Sequence, residues 1–227
     1  MTNYKVICDE KALKSFIDTL PNSDVNERYY FCLFARKKYC RDIKYIKSDK
    51  SQLARKVATK DRLFGKIQQM ECKLGSYLQD EVDIPQEALA LYINPNPRCM
   101  RKATLQLLKK LADVVGQDSP GFNPQAEAMS CIQRSCSRRL VTDFDIDTKE
   151  EGTLEKVADI LKDKSCYKVL ESRGGYHVLV DTKAVPQEAG KMWYPELRKM
   201  ADVQGDCMHP VPGCTQGMFV PRFLENY

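Results

Sequence analysis

No run of about 18 apolar residues occurs in the 227-residue chain, and the one apolar patch near its start is broken by Asp9 and Glu10. Neither a membrane-spanning helix nor a secretory signal is expected. Histidine is scarce, with two in the chain, and no Cys-x-x-Cys pair occurs, which removes the usual zinc-ribbon pattern. No Gly-x-x-x-x-Gly-Lys-Ser/Thr segment is present, so a fused P-loop ATPase or helicase is excluded. Internal repeats and low-complexity tracts are also missing. With no export signal, the ten cysteines read as reduced, mostly buried thiols in a cytoplasmic protein, not as a disulfide framework.

The composition is 43% hydrophobic, 30% charged and 9% aromatic, which excludes disordered, collagen-like and fibrous classes. The length suits one compact unit with an appended lobe. A net charge of +5 is too small to identify a partner, but it is unevenly spread. Residues 28–66 hold thirteen basic and three acidic side chains, a local net charge of +10 that leaves the remainder near −5. Tyr29, Tyr30, Phe31, Phe34, Tyr39 and Tyr45 interleave with that charge. Such a mixture suits neutralisation of a nucleic-acid backbone with base stacking, and Arg36, Lys37 and Lys38 are its densest point. The plainer alternative is a solvated basic face whose aromatics are core.

Apolar spacing predicts a short strand at 4–7, a helix at 11–20, a β-rich run at 28–39, a long helix at 51–77 and a second helix at 101–115. The Gly-, Pro- and Ser-rich stretch 116–124 is the expected lobe boundary, dividing a basic N-terminal α/β lobe (1–120) from a second lobe (121–227). There the expected elements are a helix at 125–136, strand 139–147, helix 153–162, strands 167–171 and 176–181, helix 187–201, and extended segments at 207–211 and 218–223. After the first of these helices the order is β-α-β-β-α-β. The expected class is therefore α+β, a ferredoxin-like or RRM-like sheet with an N-terminal mixed α/β lobe.

On a strand at 139–147, Asp143, Asp145 and Asp147 share one face. Carboxylates so placed repel one another unless a cation sits among them, and Mg²⁺ or Mn²⁺ binds through one or two carboxylates plus water and phosphate oxygens. An edge strand whose acids face water would look the same. The turn Ser172-Arg173-Gly174-Gly175 leads to His177 and offers hydroxyl, guanidinium and imidazole groups to phosphate, or is simply a hairpin turn. Asp202 and Asp206 precede the Pro212-Gly213 turn and are candidates for a further acid. The stretch Asn94-Pro-Asn-Pro-Arg98 is read either as a rigid loop presenting Arg98 to phosphate or as a surface turn. Cys131, Cys136, Cys207, His209 and Cys214 could be combined into a zinc site, but buried thiols are the simpler account and zinc is not expected.

Phe144-Asp-Ile-Asp147, then Ser172-Arg-Gly-Gly-Tyr-His177, then an acid before Pro-Gly, resemble in order the three motifs of the archaeo-eukaryotic primase superfamily, in the kind of small primase or primase-polymerase carried by phages and mobile elements. The resemblance covers residues 139–217, about a third of the chain. It implies that Asp145, Asp147 and Asp206 are the metal-binding catalytic acids, with Asp143 and Asp202 as rivals. Ser172, Arg173 and His177 would hold the incoming nucleotide. It further implies Mg²⁺ or Mn²⁺, nucleoside triphosphates, a single-stranded DNA template, a separate helicase or accessory subunit, and a bacterial or phage-infected cytoplasm. Many relatives place an arginine shortly before the Pro-Gly, whereas this chain has Met208-His209-Pro210, which leaves that contact missing or supplied by His209 or Arg222. The competing expectations are an inactive RRM-like binder of single strands and another metal-dependent phosphate enzyme, a nuclease or a cyclase.

Overall fold

The computed structural model describes residues 2–41, 44–115, 121–225 and 227. Asp42 of the basic block and residues 116–120 of the expected boundary loop lie outside them. The chain is a mixed α+β protein built on two antiparallel sheets. Among the described residues no helix is long and apolar enough to cross a membrane.

Strand β1 (Glu27–Ala35) is the hydrophobic centre of the first sheet. Its alternation sends Tyr29, Phe31, Leu33 and Ala35 to one face, where α1 (Glu10–Thr19) and α2 (Lys60–Gln68) cover them through Leu13, Phe16, Ile17, Leu63 and Ile67. Tyr30 and Cys32 turn to the other face, beneath α3 (Met100–Val114) and α4 (Pro124–Arg134). β1 pairs with β2 (Ser51–Ala58), which is followed by the small hairpin of β3 (Leu78–Gln79) and β4 (Val82–Asp83). On its other side β1 pairs with β5 (Leu89–Ile93), and its first residues pair with β6 (Arg98–Cys99).

The long helix expected at 51–77 is corrected to strand β2, the turn at Thr59 and helix α2. Leu53 and Val57 are four apart and fit a helical stripe, but the largely buried β1 leaves an unpaired edge whose backbone groups need a partner. Residues 51–58 supply it, with Arg55 and Lys56 on the outer edge strand. The strand expected at 4–7 contributes only isolated bridges at Asn3 and Ile7. Tyr29, Tyr30 and Phe31 are fully buried, so the aromatics of the basic block are mainly core and not a stacking surface.

The second sheet begins at β7 (Thr142–Ile146), followed by α5 (Thr153–Leu161), β8 (Tyr167–Glu171), β9 (Tyr176–Val180), α6 (Trp193–Met200) and β10 (Val203–Gly205). The strands lie in the order β10-β7-β9-β8, all neighbours antiparallel. Phe144, Ile146, Val169, Val178 and Val180 turn to α5 and α6, which leaves Asp143, Asp145 and His177 on the opposite face.

The lobes are interlocked in sequence. Helix α4, beyond the expected boundary at 120/121, packs with α3 over the first sheet. After β10 the chain crosses back, and β11 (His209–Pro210) joins the first sheet beside β5, before β12 (Arg222–Phe223) returns to β8. The crossing is pinned at Gly213, whose carbonyl accepts the N–H groups of Cys8 and Asp9 at the start of α1. Gly213 has φ +78°, and a Cβ there would lie 2.4 Å from the Asp9 carbonyl oxygen. Gly213→Ala is therefore expected to cost about 2–4 kcal/mol, measured by urea denaturation; a loss below about 1 kcal/mol would show that this crossing tolerates adjustment.

Candidate active site

The open face of the second sheet forms one wall of a cleft of about 930 Å³, and the first sheet and its β1–β2 connection form the other. Asp145, Asp147, Ser172, His177 and Asp206 line it, as do Arg36 and Lys38 across from them. The structure thus brings together residues that stand more than 160 positions apart in the sequence. Lys37 is exposed and does not line the cleft.

Asp145 on β7 stands directly opposite His177 on β9. His177 Nδ1 lies 3.0 and 3.1 Å from the two carboxylate oxygens of Asp143, and its Nε2 is 3.4 Å from Asp145 Oδ1. Asp143 is fully buried. Burial disfavours the charged imidazole, but Asp143, and then Asp145 and Asp147, outweigh it and raise the His177 pKa. The ring is held between two acids, and removing it would leave Asp143 buried and unpaired at a cost of about 3–5 kcal/mol.

The Asp145 side chain is 28% exposed. Its pKa is pushed up to about 6, first by burial and then by Asp143 and Asp147, against the opposing pull of His177 and Lys38. Asp147 is exposed at the end of the strand. Asp202 fastens that end: its Oδ2 accepts the Asp147 N–H at 3.0 Å while its own N–H donates to the Asp145 carbonyl at 2.8 Å.

The Ser172–Gly175 turn packs against the same strand end. The Ser172 Oγ is used within the turn, accepting the Gly175 N–H and donating to the Gly175 carbonyl. A Cβ on Gly175 would sit 1.9 Å from the Ile146 carbonyl oxygen, so glycine is required for this approach. Arg173 faces the first lobe. Its N–H donates to Gln216 Oε1 at 2.7 Å, its guanidinium donates to the Gly217 carbonyl, and it lies 4.5 Å from the ring centre of Tyr39. Arg173 therefore staples the turn to the other lobe, with Gln216 continuing the link to the Tyr92 hydroxyl at 3.1 Å.

Asp206 lines the cleft with both carboxylate oxygens engaged. Arg98, 1% exposed, makes a bidentate pair with it at 2.6 Å on each arm, and Asn96 Nδ2 donates to it at 2.8 Å. Burial opposes the charge of Asp206, but these partners prevail and hold its carboxyl below the usual range. Coordination of a cation would compete with three short bonds, so Asp206 has the part of a counter-ion to the buried Arg98 here. Arg98, read from the sequence as a phosphate contact or a surface residue, is neither. Asn96 also accepts the N–H groups of Leu140 and Val141 just before β7, a clamp that no spacing in the sequence signalled.

His209 is fully buried, and burial pushes its pKa down to about 4. Its Nδ1–H donates to the Pro210 carbonyl at 2.8 Å, so it is a neutral packing residue. Arg222 pairs with Glu171 at 3.0 Å. Neither supplies a free cation to the cleft. Cys131 and Cys214 lie in different cores, and all ten cysteines are free.

Among the described residues no three His, Cys, Asp or Glu side chains converge as a ready metal cage. A hard cation that keeps water and phosphate oxygens in its shell fits the two-carboxylate set of Asp145 and Asp147, where burial first, and then Asp143 and Asp147, raise the Asp145 pKa. Comparison with protein-family models, curated proteins and solved structures finds no match.

Because the folded carboxyl of Asp145 titrates above its ordinary value of 3.8, the folded state holds the proton longer than the unfolded chain does. Stability therefore falls as pH rises from about 4 to about 6 and stays reduced above that range. Asp145→Asn is expected to raise unfolding free energy by about 2 kcal/mol at pH 7.5 and to leave it nearly unchanged at pH 4. Denaturant titrations at both pH values check this; an equal change at both would remove the electrostatic account.

Proposed function

We propose that the protein is a metal-dependent nucleotidyltransferase of the primase or primase-polymerase type, joining nucleoside triphosphates along a single-stranded DNA template. One observation carries this reading: Asp145, Asp147 and His177, on adjacent strands, share a cleft wall that faces Arg36 and Lys38 of the other lobe. The element order from β7 to β10 and the strand order β10-β7-β9-β8, with both helices on one face, support an RRM-like catalytic sheet. Motif order along the chain supports the same family.

Asp145 and Asp147 would hold Mg²⁺ or Mn²⁺, which when bound polarises the reacting phosphate and favours ionisation of the attacking hydroxyl. His177 is held in place, because Asp143 engages Nδ1 and leaves Nε2 directed at Asp145. The acids around it favour its charged form, which would meet the increasing phosphate charge without reorganisation during the reaction. The hydroxyl oxygen bonds the α-phosphorus, the α–β bridge breaks, and pyrophosphate leaves with the electron pair while the hydroxyl proton passes to water. Lys38 in the cleft and the exposed Lys37, Arg41, Lys44 and Lys50 around the β1–β2 connection give the template phosphates a basic rim. A helicase or accessory subunit and a bacterial or phage-infected cytoplasm go with the same family resemblance.

A purely binding RRM-like module is less favoured, because Tyr29, Tyr30 and Phe31 are core and cannot stack on bases. The deciding experiment is incorporation of labelled ribo- and deoxynucleotides on single-stranded DNA with Mg²⁺ or Mn²⁺. Metal-dependent product is expected from the wild type, with a loss of at least 100-fold in Asp145→Ala/Asp147→Ala and His177→Ala. Cleavage of the strand or cyclised nucleotide in place of extension would assign a nuclease or cyclase. Binding of strands with no product would favour the non-catalytic module.

A further inference from the structure

A triphosphate held with its α-phosphate at Asp145 and Asp147 needs cations for the phosphates that leave, and the cleft is selective about which cations are free. Arg173 is committed to Gly217 and Tyr39, Arg98 to Asp206, and Arg134 to Glu127. Arg36 differs from all three. It follows β1 directly, and its guanidinium lies 5.1 Å from the ring centre of Tyr92 and 5.9 Å from that of Tyr39. Its Nε is buried without a hydrogen-bond partner, and it has no ion pair among the described residues.

An arginine in this state is prepared for a ligand. Its stacking rings are themselves fixed, Tyr92 by the Gln216 amide and Tyr39 by Arg173 on the same ring, so little side-chain freedom is left to lose on binding. A cleft-lining arginine with no ion pair among the described residues, on a planar fork of five N–H groups, matches phosphate oxygens bidentately. Lys38, exposed and close enough to Asp145 to lower its pKa, is the more mobile point charge. We propose that Arg36, assigned by the sequence to template binding, instead receives the terminal phosphates of the nucleoside triphosphate and the pyrophosphate that departs. This rests on the nucleotidyltransferase reading for its substrate, but the geometry of the receptor is independent of it. The link through Tyr39, Arg173 and Gln216 also makes the Ser172–Gly175 turn a positioning element for Arg36.

Calorimetric titration with inorganic pyrophosphate, with and without Mg²⁺, tests the proposal directly. Arg36→Gln is expected to weaken pyrophosphate binding about 10- to 100-fold. Arg36→Lys, which keeps the charge but not the fork, should fall between the two, and affinity for a 20-residue oligothymidylate should stay within about twofold of wild type. Pyrophosphate affinity unchanged in both variants, no measurable wild-type binding, or an equal loss of oligonucleotide affinity would each overturn it, the last returning Arg36 to the template. Arg36→Lys also serves if Arg36→Gln does not fold. If pyrophosphate binds through Arg36 but the wild type incorporates no nucleotide, the receptor stands and the polymerase reading fails.

Discussion

A buried ion pair between adjacent strands governs the site. Asp143 is fully buried against His177, and Asp143 with the acids beside it raises the His177 pKa against the opposing cost of burial. The two are mutually dependent, each costly if left alone. Two consequences follow for β7. Asp143 is engaged by His177, and Asp145 and, just past the strand end, Asp147 are left in the cleft with the imidazole beside them.

A second ion pair does comparable work at the junction of the lobes. Arg98 from the first sheet and Asp206 from the segment that returns to it form a bidentate bond that Asn96 completes. Asn94 lies alongside, donating to the Asp206 and Cys207 carbonyls. With β11 in the first sheet, β12 in the second and Gly213 against α1, the chain passes between the lobes often enough to fix the cleft width. The nucleotidyltransferase we propose would need such rigidity, because phosphoryl transfer depends on placing reacting groups within a fraction of an ångström.

Much of the second lobe was legible from the sequence. Alternation at 139–147, the glycine turn and the apolar runs on either side are local signals, and the structure returns β7, β8 and β9 close to where spacing placed them. The three-aspartate stripe and His177 could be found for the same reason: period two decides which side chains share a face. Residues 51–58 were misread because their two apolar positions fit a helix as well as a strand, and the deciding factor was the distant β1 edge. The roles of Arg98, Arg173 and Asp206 were not legible. Each side chain is polar and sits near a glycine or proline turn, which suggests a ligand contact, and only the fold shows that protein groups already satisfy them. Gln216 and Tyr92 gave no local signal, since their importance lies in a bond between residues 124 positions apart.

The central claim is that the Asp143–His177 pair leaves Asp145 and Asp147 as a divalent-cation site. Electron paramagnetic resonance of Mn²⁺ titrated into the protein at pH 7.5 measures this without any turnover. The account predicts saturable binding that tightens when a nucleoside triphosphate is added and weakens at least tenfold in Asp145→Asn/Asp147→Asn, because two of the ion's few protein ligands become neutral. Equal Mn²⁺ affinity in wild type and variant, with or without nucleotide, would contradict it.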